Sequence, residues 1–164
     1  MESRAKLFGH PIHQMLVVFP VGLLGASVFF DLIYMLRDDA QMAVVATYLV
    51  ATGLVAGLLA APFGLIDWLS IPGGTRAKRI GALHAVGNVI VLALFGTAWW
   101  LRADAPQAPP ALSHALMFMG LGLTLVTAWL GGELIDRLGV GVSDAANLNA
   151  PSSLAEPRLR KVRH

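Results

Sequence analysis

The sequence predicts an all-α integral membrane protein, a four-helix bundle running up and down across the bilayer. Three observations predict it. Only 13% of the 164 residues are charged, against about a quarter in soluble domains, and the mean hydropathy is +0.67. The charges gather at Met1–Lys6, Arg37–Asp39, Arg76–Arg79, Arg102–Asp104 and beyond Glu133, and the stretches between them carry no regular polar face. Four of those stretches reach the roughly 20 residues that a helix needs to cross a core about 30 Å thick.

The first span is expected over 13–36, with Pro11 suited to a first helical turn. It is long, lacks an A-x-A site and is followed by three more spans, so it reads as a retained helix and not a signal peptide. The second, 41–69, follows the short link Arg37-Asp38-Asp39. Gly53, Gly57, Ala60 or Ala61, and Gly64 form one small-residue stripe on it, where a neighbour can approach closely. Asp67 continues that stripe and is expected to point into the bundle. The third span, 79–101, follows Ser70–Thr75, and the fourth, 111–135, follows Asp104–Pro110 with its three prolines. Such short links imply antiparallel neighbours. Pro20 and Pro62 lie inside spans and should kink them. The bundle thus occupies 1–142, leaving a basic tail over 143–164 that is expected to be disordered.

Orientation follows from Lys and Arg. With four crossings, the N-terminus, the 70–75 link and the tail share one side. Ten of the twelve basic residues lie there (Arg4, Lys6, Arg76, Lys78, Arg79, Arg137, Arg158, Arg160, Lys161 and Arg163), and only Arg37 and Arg102 lie on the other. Basic loops face the cytoplasm, so both termini are expected there. Trp99 and Trp100 then lie at the outer interface and Trp68 at the inner one. The basic residues flank apolar spans, so the high pI, about 9.4, indicates contact with anionic lipid and not nucleic acid. The absence of cysteine excludes disulfides, thiolate ligands and Cys nucleophiles.

Ionisable groups inside a membrane are costly, which makes each a candidate for function. His10 and His13 open the first helix, Asp67 closes the second, His84 and Asn88 lie just inside the third, and Glu133 and Asp136 close the fourth. At about 1.5 Å per residue, all fall near the cytoplasmic boundary. Gly64-Leu65-Ile66-Asp67 recurs loosely as Gly132-Glu133-Leu134-Ile135-Asp136 with one residue inserted. Each half therefore reads as a helix opening with His followed by one closing with an acid, an arrangement that can place a site at a repeat interface. Ordinary readings stand beside these. His10 can be an N-cap-like interfacial group and His13 can be interfacial too. His84 can be a simple buried group, Asp67 can pair with Arg76 or Arg79, and Asp136 can be a solvated acid beside Arg137. Glu133 faces away from the Gly120, Thr124, Gly131 stripe of its helix. At the other end, Asp31 and His114 are expected to form a structural pair.

Gly9-His10-Pro11-Ile12-His13 followed by Phe19-Pro20-Val21-Gly22, then Phe63–Trp68, Thr75–Gly81 leading to His84, and Gly131-Gly132-Glu133-Leu134, together resemble the DUF2231 family of predicted bacterial membrane proteins. The resemblance spans roughly 8–142. Gln14 stands where the family's first motif often has a second proline, which touches helix entry more than ligand supply. The resemblance implies a bacterial inner-membrane location and marks these positions. Through relatives joined to cytochrome-type modules it also implies a redox setting, with a redox membrane complex or a homo-oligomer as the assembly.

Three functions compete. A transition metal, Zn or Fe, suits imidazole and carboxylate ligands, with His10 and His13 chelating from one helix and His84, Asp67 and Glu133 completing the shell. Asn88, Asp136, Arg76 and Arg79 would support it. A b-type haem needs two facing histidines; His13 and His84 fit, with Arg76 and Arg79 near the propionates. A cofactor-free scaffold would use the same groups as hydrogen-bond networks. Nothing pairs a nucleophile with a base, so no reaction is assigned.

Overall fold

The computed structural model describes residues 1–155. It begins with a small hairpin, β1 (Lys6–Leu7) antiparallel to β2 (His10–Pro11), with Leu7 opposite His10. Phe8 and Gly9 form its turn with φ of 50° and 86°. Two successive left-handed residues are what the tightest hairpin requires. His10 is therefore a strand residue ahead of the helix. The expectation that His10 and His13 chelate from one helix is corrected here, because His10 lies in β2 and the first helix begins only at Ile12.

The first span comprises α1 (Ile12–Leu16) and α2 (Val18–Arg37), separated at Val17. Pro20 has no N–H to give the Leu16 carbonyl, so the helical ladder breaks at that point. Helix α2 ends at Asp38, left-handed at φ 52°, whose N–H reaches the Tyr34 carbonyl at 2.8 Å. Asp39 then caps α3 (Ala40–Ser70) by accepting from the Gln41 N–H at 3.0 Å. Two adjacent aspartates thus end one span and start the next. Pro62 lies inside an unbroken α3. Thr75 caps α4 (Arg76–Arg102) through the Lys78 N–H at 3.1 Å. Pro110 precedes α5 (Ala111–Gly132), which continues into a π-turn over Glu133–Arg137. A π-turn holds more residues than an α-turn, and it lies where the sequence repeat carries its inserted residue.

Helices α2 and α3 form one antiparallel hairpin and α4 and α5 another, and the two pack together into a four-helix bundle. Each of the four spans is long and apolar enough to cross a membrane. The core is thin: Leu24, Val28, Val50, Val91, Phe95, Ala98 and Met117. The outward surface carries Phe29, Tyr48, Leu58, Val89, Leu125 and Trp129, each at least 60% exposed. Apolar outside as well as inside is a lipid solution, since burial against other helices leaves most of the apolar area uncovered. Small residues let the helices approach. A Cβ at Gly120 would stand 2.6 Å from the Phe95 ring, and one at Gly53 would stand 2.7 Å from Leu24.

The N-terminal segment, the 70–75 link and the chain after α5 meet at one end of the bundle. The Met1 ammonium donates to the Gly139 carbonyl at 2.9 Å and the Gly141 N–H returns to the Met1 carbonyl. Glu2 pairs with Lys6 and accepts from the Ser143 hydroxyl. Lys6 first, with Ser143 and the Asp144 N–H, holds the Glu2 carboxyl down to about 2. The chain from Ser143 to Ala155 runs as successive turns, and its Ser153 hydroxyl lies 3.2 Å from His10 Nε2. The remainder of the expected tail, 156–164, lies outside the described residues.

Candidate functional site

His13 projects from α1 onto α3. Its Nδ1 stands 3.1 Å from the Ala60 carbonyl, and a Cβ at Gly64 would be 2.8 Å from the ring's Cε1. Glycine makes the seat, and the carbonyl four residues earlier receives the hydrogen bond. A carbonyl oxygen can only accept, so Nδ1 carries the proton and Nε2 presents a lone pair while the ring is neutral. No group among the described residues bonds that Nε2. It is also not among the buried atoms left without a partner, so it opens onto space at the end of the bundle.

His84 repeats this arrangement in the second hairpin. Its Nδ1 donates to the Thr127 carbonyl at 2.9 Å, and a Cβ at Gly131 would be 3.2 Å from Cε1. The carbonyl again lies four residues before the glycine. The structural repeat therefore pairs Gly64 with Gly131, one residue earlier than the sequence match suggests. Here Nε2 is occupied: the Asn88 amide lies 3.1 Å from it, donates also to the His84 carbonyl at 2.9 Å, and accepts from the Thr127 hydroxyl at 3.2 Å.

The acids go elsewhere. Asp67 accepts from the Ser3 hydroxyl at 2.7 and 2.8 Å and from the Arg4 N–H at 3.0 Å. It therefore anchors the N-terminal segment, and neither Arg76 nor Arg79 is its partner. Glu133 bonds Arg76 Nη2 at 2.6 Å, so its charge is already matched by a guanidinium. Arg79 is exposed. Asp136 lies beside Arg137 at 3.9 Å, with both side chains mostly in solvent, as its ordinary reading has it. Lys78 lies 4.0 Å over the Trp68 ring and donates to the Trp68 carbonyl at 2.7 Å, which joins the end of α3 to the start of α4. Among the described residues, no three His, Asp or Glu side chains stand together as a metal-ligand group. The five-residue shell expected from His10, His13, Asp67, His84 and Glu133 is thus not assembled. Of these residues His13 and His84 are held alike, each through Nδ1 on a backbone carbonyl, and Asn88 lies between His84 and Thr127.

At the opposite end, the polar groups form one network. Arg102 clamps Asp31 with Nη1 to Oδ1 at 3.0 Å and Nη2 to Oδ2 at 2.8 Å, and its Nε donates to the Ser113 hydroxyl at 3.0 Å. His114 Nδ1 lies 3.1 Å from the same Asp31 oxygen, and Tyr34 stacks on the imidazole. Asp31, Arg102 and Ser113 are all at most 1% exposed. The Asp31–His114 pair is there as expected. Arg102, read from sequence as a loop cation, is its central member.

Sequence reasoning missed the glycine seats, Ser3 and the inward turn of Arg102. A signal for the seats was available. In an antiparallel hairpin, residues equidistant from the turn meet, and His13 and Gly64 are equidistant from the Asp38–Asp39 turn. His84 and Gly131 are nearly so about the 103–110 link, their midpoint falling between Gln107 and Ala108. Nothing comparable pointed to Ser3.

No curated protein and no solved structure matches the sequence. A family model described as a predicted membrane protein matches residues 9–144, a stretch holding both histidine seats, both glycines, Asp67, the Arg76–Glu133 pair and the buried Arg102 network. The chain is a member of the DUF2231 family of predicted membrane proteins.

Proposed function

We propose that this is a multi-pass protein of the bacterial inner membrane in which His13 and His84 form a two-imidazole seat for a transition metal ion, Zn or Fe. One observation carries the reading: each ring is anchored through Nδ1 to a backbone carbonyl. A hydrogen bond at the far nitrogen is how metal-binding histidines are oriented and made more basic, and both nitrogen and oxygen ligand sets suit these ions. Water, or a second copy of the chain, would complete the coordination. Asp67 and Glu133 drop out as ligands, since Ser3, Arg4 and Arg76 hold them.

The site would face the cytoplasm. Its end of the bundle carries Arg4, Lys6, Arg76, Lys78, Arg79 and Arg137, and of the two basic residues at the other end Arg102 is wholly buried against Asp31. That leaves Arg37 as the only solvated cation there among the described residues, which strengthens the bias that orients membrane helices.

A second reading has its own support. No buried side-chain nitrogen or oxygen among the described residues lacks a partner, as a scaffold subunit whose polar groups only fix helix register would require. Elemental analysis and an absorption spectrum of the detergent-purified protein separate these readings. Stoichiometric metal in the wild type, lost in His13→Gln and His84→Gln with helicity retained, supports the metal seat. A Soret band replaces it with haem b. A colourless, metal-free protein returns the histidines to the scaffold reading.

A further inference from the structure

We propose that the tip of the N-terminal hairpin, Leu7 and Phe8, is an anchor that inserts into the lipid interface beside the first membrane helix. Phe8 breaks two local rules at once. Its φ of 50° is left-handed, where a Cβ crowds the following carbonyl oxygen. Glycine, asparagine and aspartate ordinarily hold that position in a two-residue turn. Phe8 is also 72% exposed, and Leu7 beside it is 46% exposed. Asparagine would ease the backbone and suit water, so neither turn geometry nor solvation accounts for a phenylalanine. A residue that defies local preference with no gain inside the fold points to a contact outside it.

The fold decides what the tip contacts. Both arms of the hairpin are tied down at the end of the bundle. The Arg4 N–H bonds Asp67 in the last turn of α3, and the Ala5 carbonyl accepts from the N–H of Ile12, the first residue of α1. Phe8 is three residues beyond Ala5, so the tip reaches at most about 10 Å from that tie. The first span has 26 residues and is about 39 Å long. That exceeds a hydrocarbon core of about 30 Å, which puts the start of α1 among the headgroups and the tip within reach of them. From the tip the chain runs into α1 and α2, where Met15, Val18 and Phe19 are each at least 45% exposed on the apolar outer surface. The tip therefore continues a surface that the bilayer already covers. Phenylalanine and leucine are side chains that interfacial segments bury at the acyl boundary, and the exposed Arg4 adds a cation for lipid phosphate.

The chain has no cysteine, so single-cysteine variants of the full-length protein each carry one nitroxide label. They are reconstituted into vesicles of phosphatidylethanolamine and phosphatidylglycerol. Electron paramagnetic resonance then reads collisions of the label with oxygen and with a water-soluble nickel chelate. Val18→Cys is the lipid reference, and Asp104→Cys, exposed in the 103–110 link, is the aqueous one. The label in Phe8→Cys is expected to favour oxygen, as at Val18. The nickel-dominated pattern of Asp104 overturns the anchor. Spin–spin broadening between labels at Phe8 overturns it as well, because a second copy and not lipid then covers the tip. A further variant separates anchor from turn, since Phe8→Asn suits the left-handed backbone but has no apolar ring. Combined with a label in Leu7→Cys, it should abolish the oxygen preference seen there when Phe8 is present. Unchanged accessibility at Leu7 means that Phe8 serves the hairpin alone, and the proposal falls.

Discussion

The two ends of this bundle use polar residues in opposite ways. At one, Asp31, Arg102, Ser113 and His114 from α2, α4 and α5 share a single network, and none is more than 7% exposed. Burying a carboxylate and a guanidinium is costly, and only a bidentate geometry with every remaining donor satisfied offsets it. At the other end the groups are spent in separate small arrangements: Asp67 on Ser3 and Arg4, Glu133 on Arg76, His13 on Ala60, and His84 on Thr127 and Asn88. Most of these residues are partly exposed. The first end is a bolt across the junction of the two helical hairpins. The second holds its histidines by backbone contacts and leaves the His13 Nε2 without a partner among the described residues. Rigidity and access are thus divided between the two membrane boundaries, and the proposed site lies at the accessible one.

The sharpest way to break this comparison is to remove one half of the buried pair. Asp31→Ala leaves Arg102 buried and unmatched, and should destabilise the bundle by about 3–5 kcal/mol, read as the shift in its unfolding midpoint in mixed detergent micelles. Replacing both residues by leucine should cost much less, because no lone charge remains. A small loss in the single variant would show that the network is not a bolt.

The histidine seats sharpen the comparison at intermediate size. Gly64→Ala places a methyl 2.8 Å from His13, whereas Gly131→Ala places one 3.2 Å from His84. The first should cost about 1–3 kcal/mol and the second distinctly less, measured by the same unfolding assay. Equal costs would mean that the two halves tolerate crowding alike and that the repeat is closer than the contacts indicate.

The smallest effect is expected at the Arg76–Glu133 pair, where the arginine side chain is 52% exposed. Arg76→Ala should cost about 0–1 kcal/mol and lose even that at high salt. A cost comparable to that of Asp31→Ala would erase the contrast between the ends.

What the sequence by itself determined was the set of spans, the links between them and the end at which acids and histidines gather. Hydropathy is a local, additive property, so a window of residues settles whether a helix can cross a bilayer without reference to its neighbours. The two aspartates after Arg37 and the threonine before Arg76 were equally local, and each ends or starts a helix where it stands. Partnership was not local. Arg102 meets Asp31 across 71 positions and Asp67 meets Ser3 across 64, and both depend on how far each helix is rotated and slid against the next. That rotation is set by close approach at Gly53, Gly64, Gly120 and Gly131, where a side chain from the facing helix fills the notch. The tertiary structure alone therefore decided that Arg102 turns inward, that Asp67 and Glu133 are occupied, and that His13 and His84 are each seated on a glycine and a backbone carbonyl.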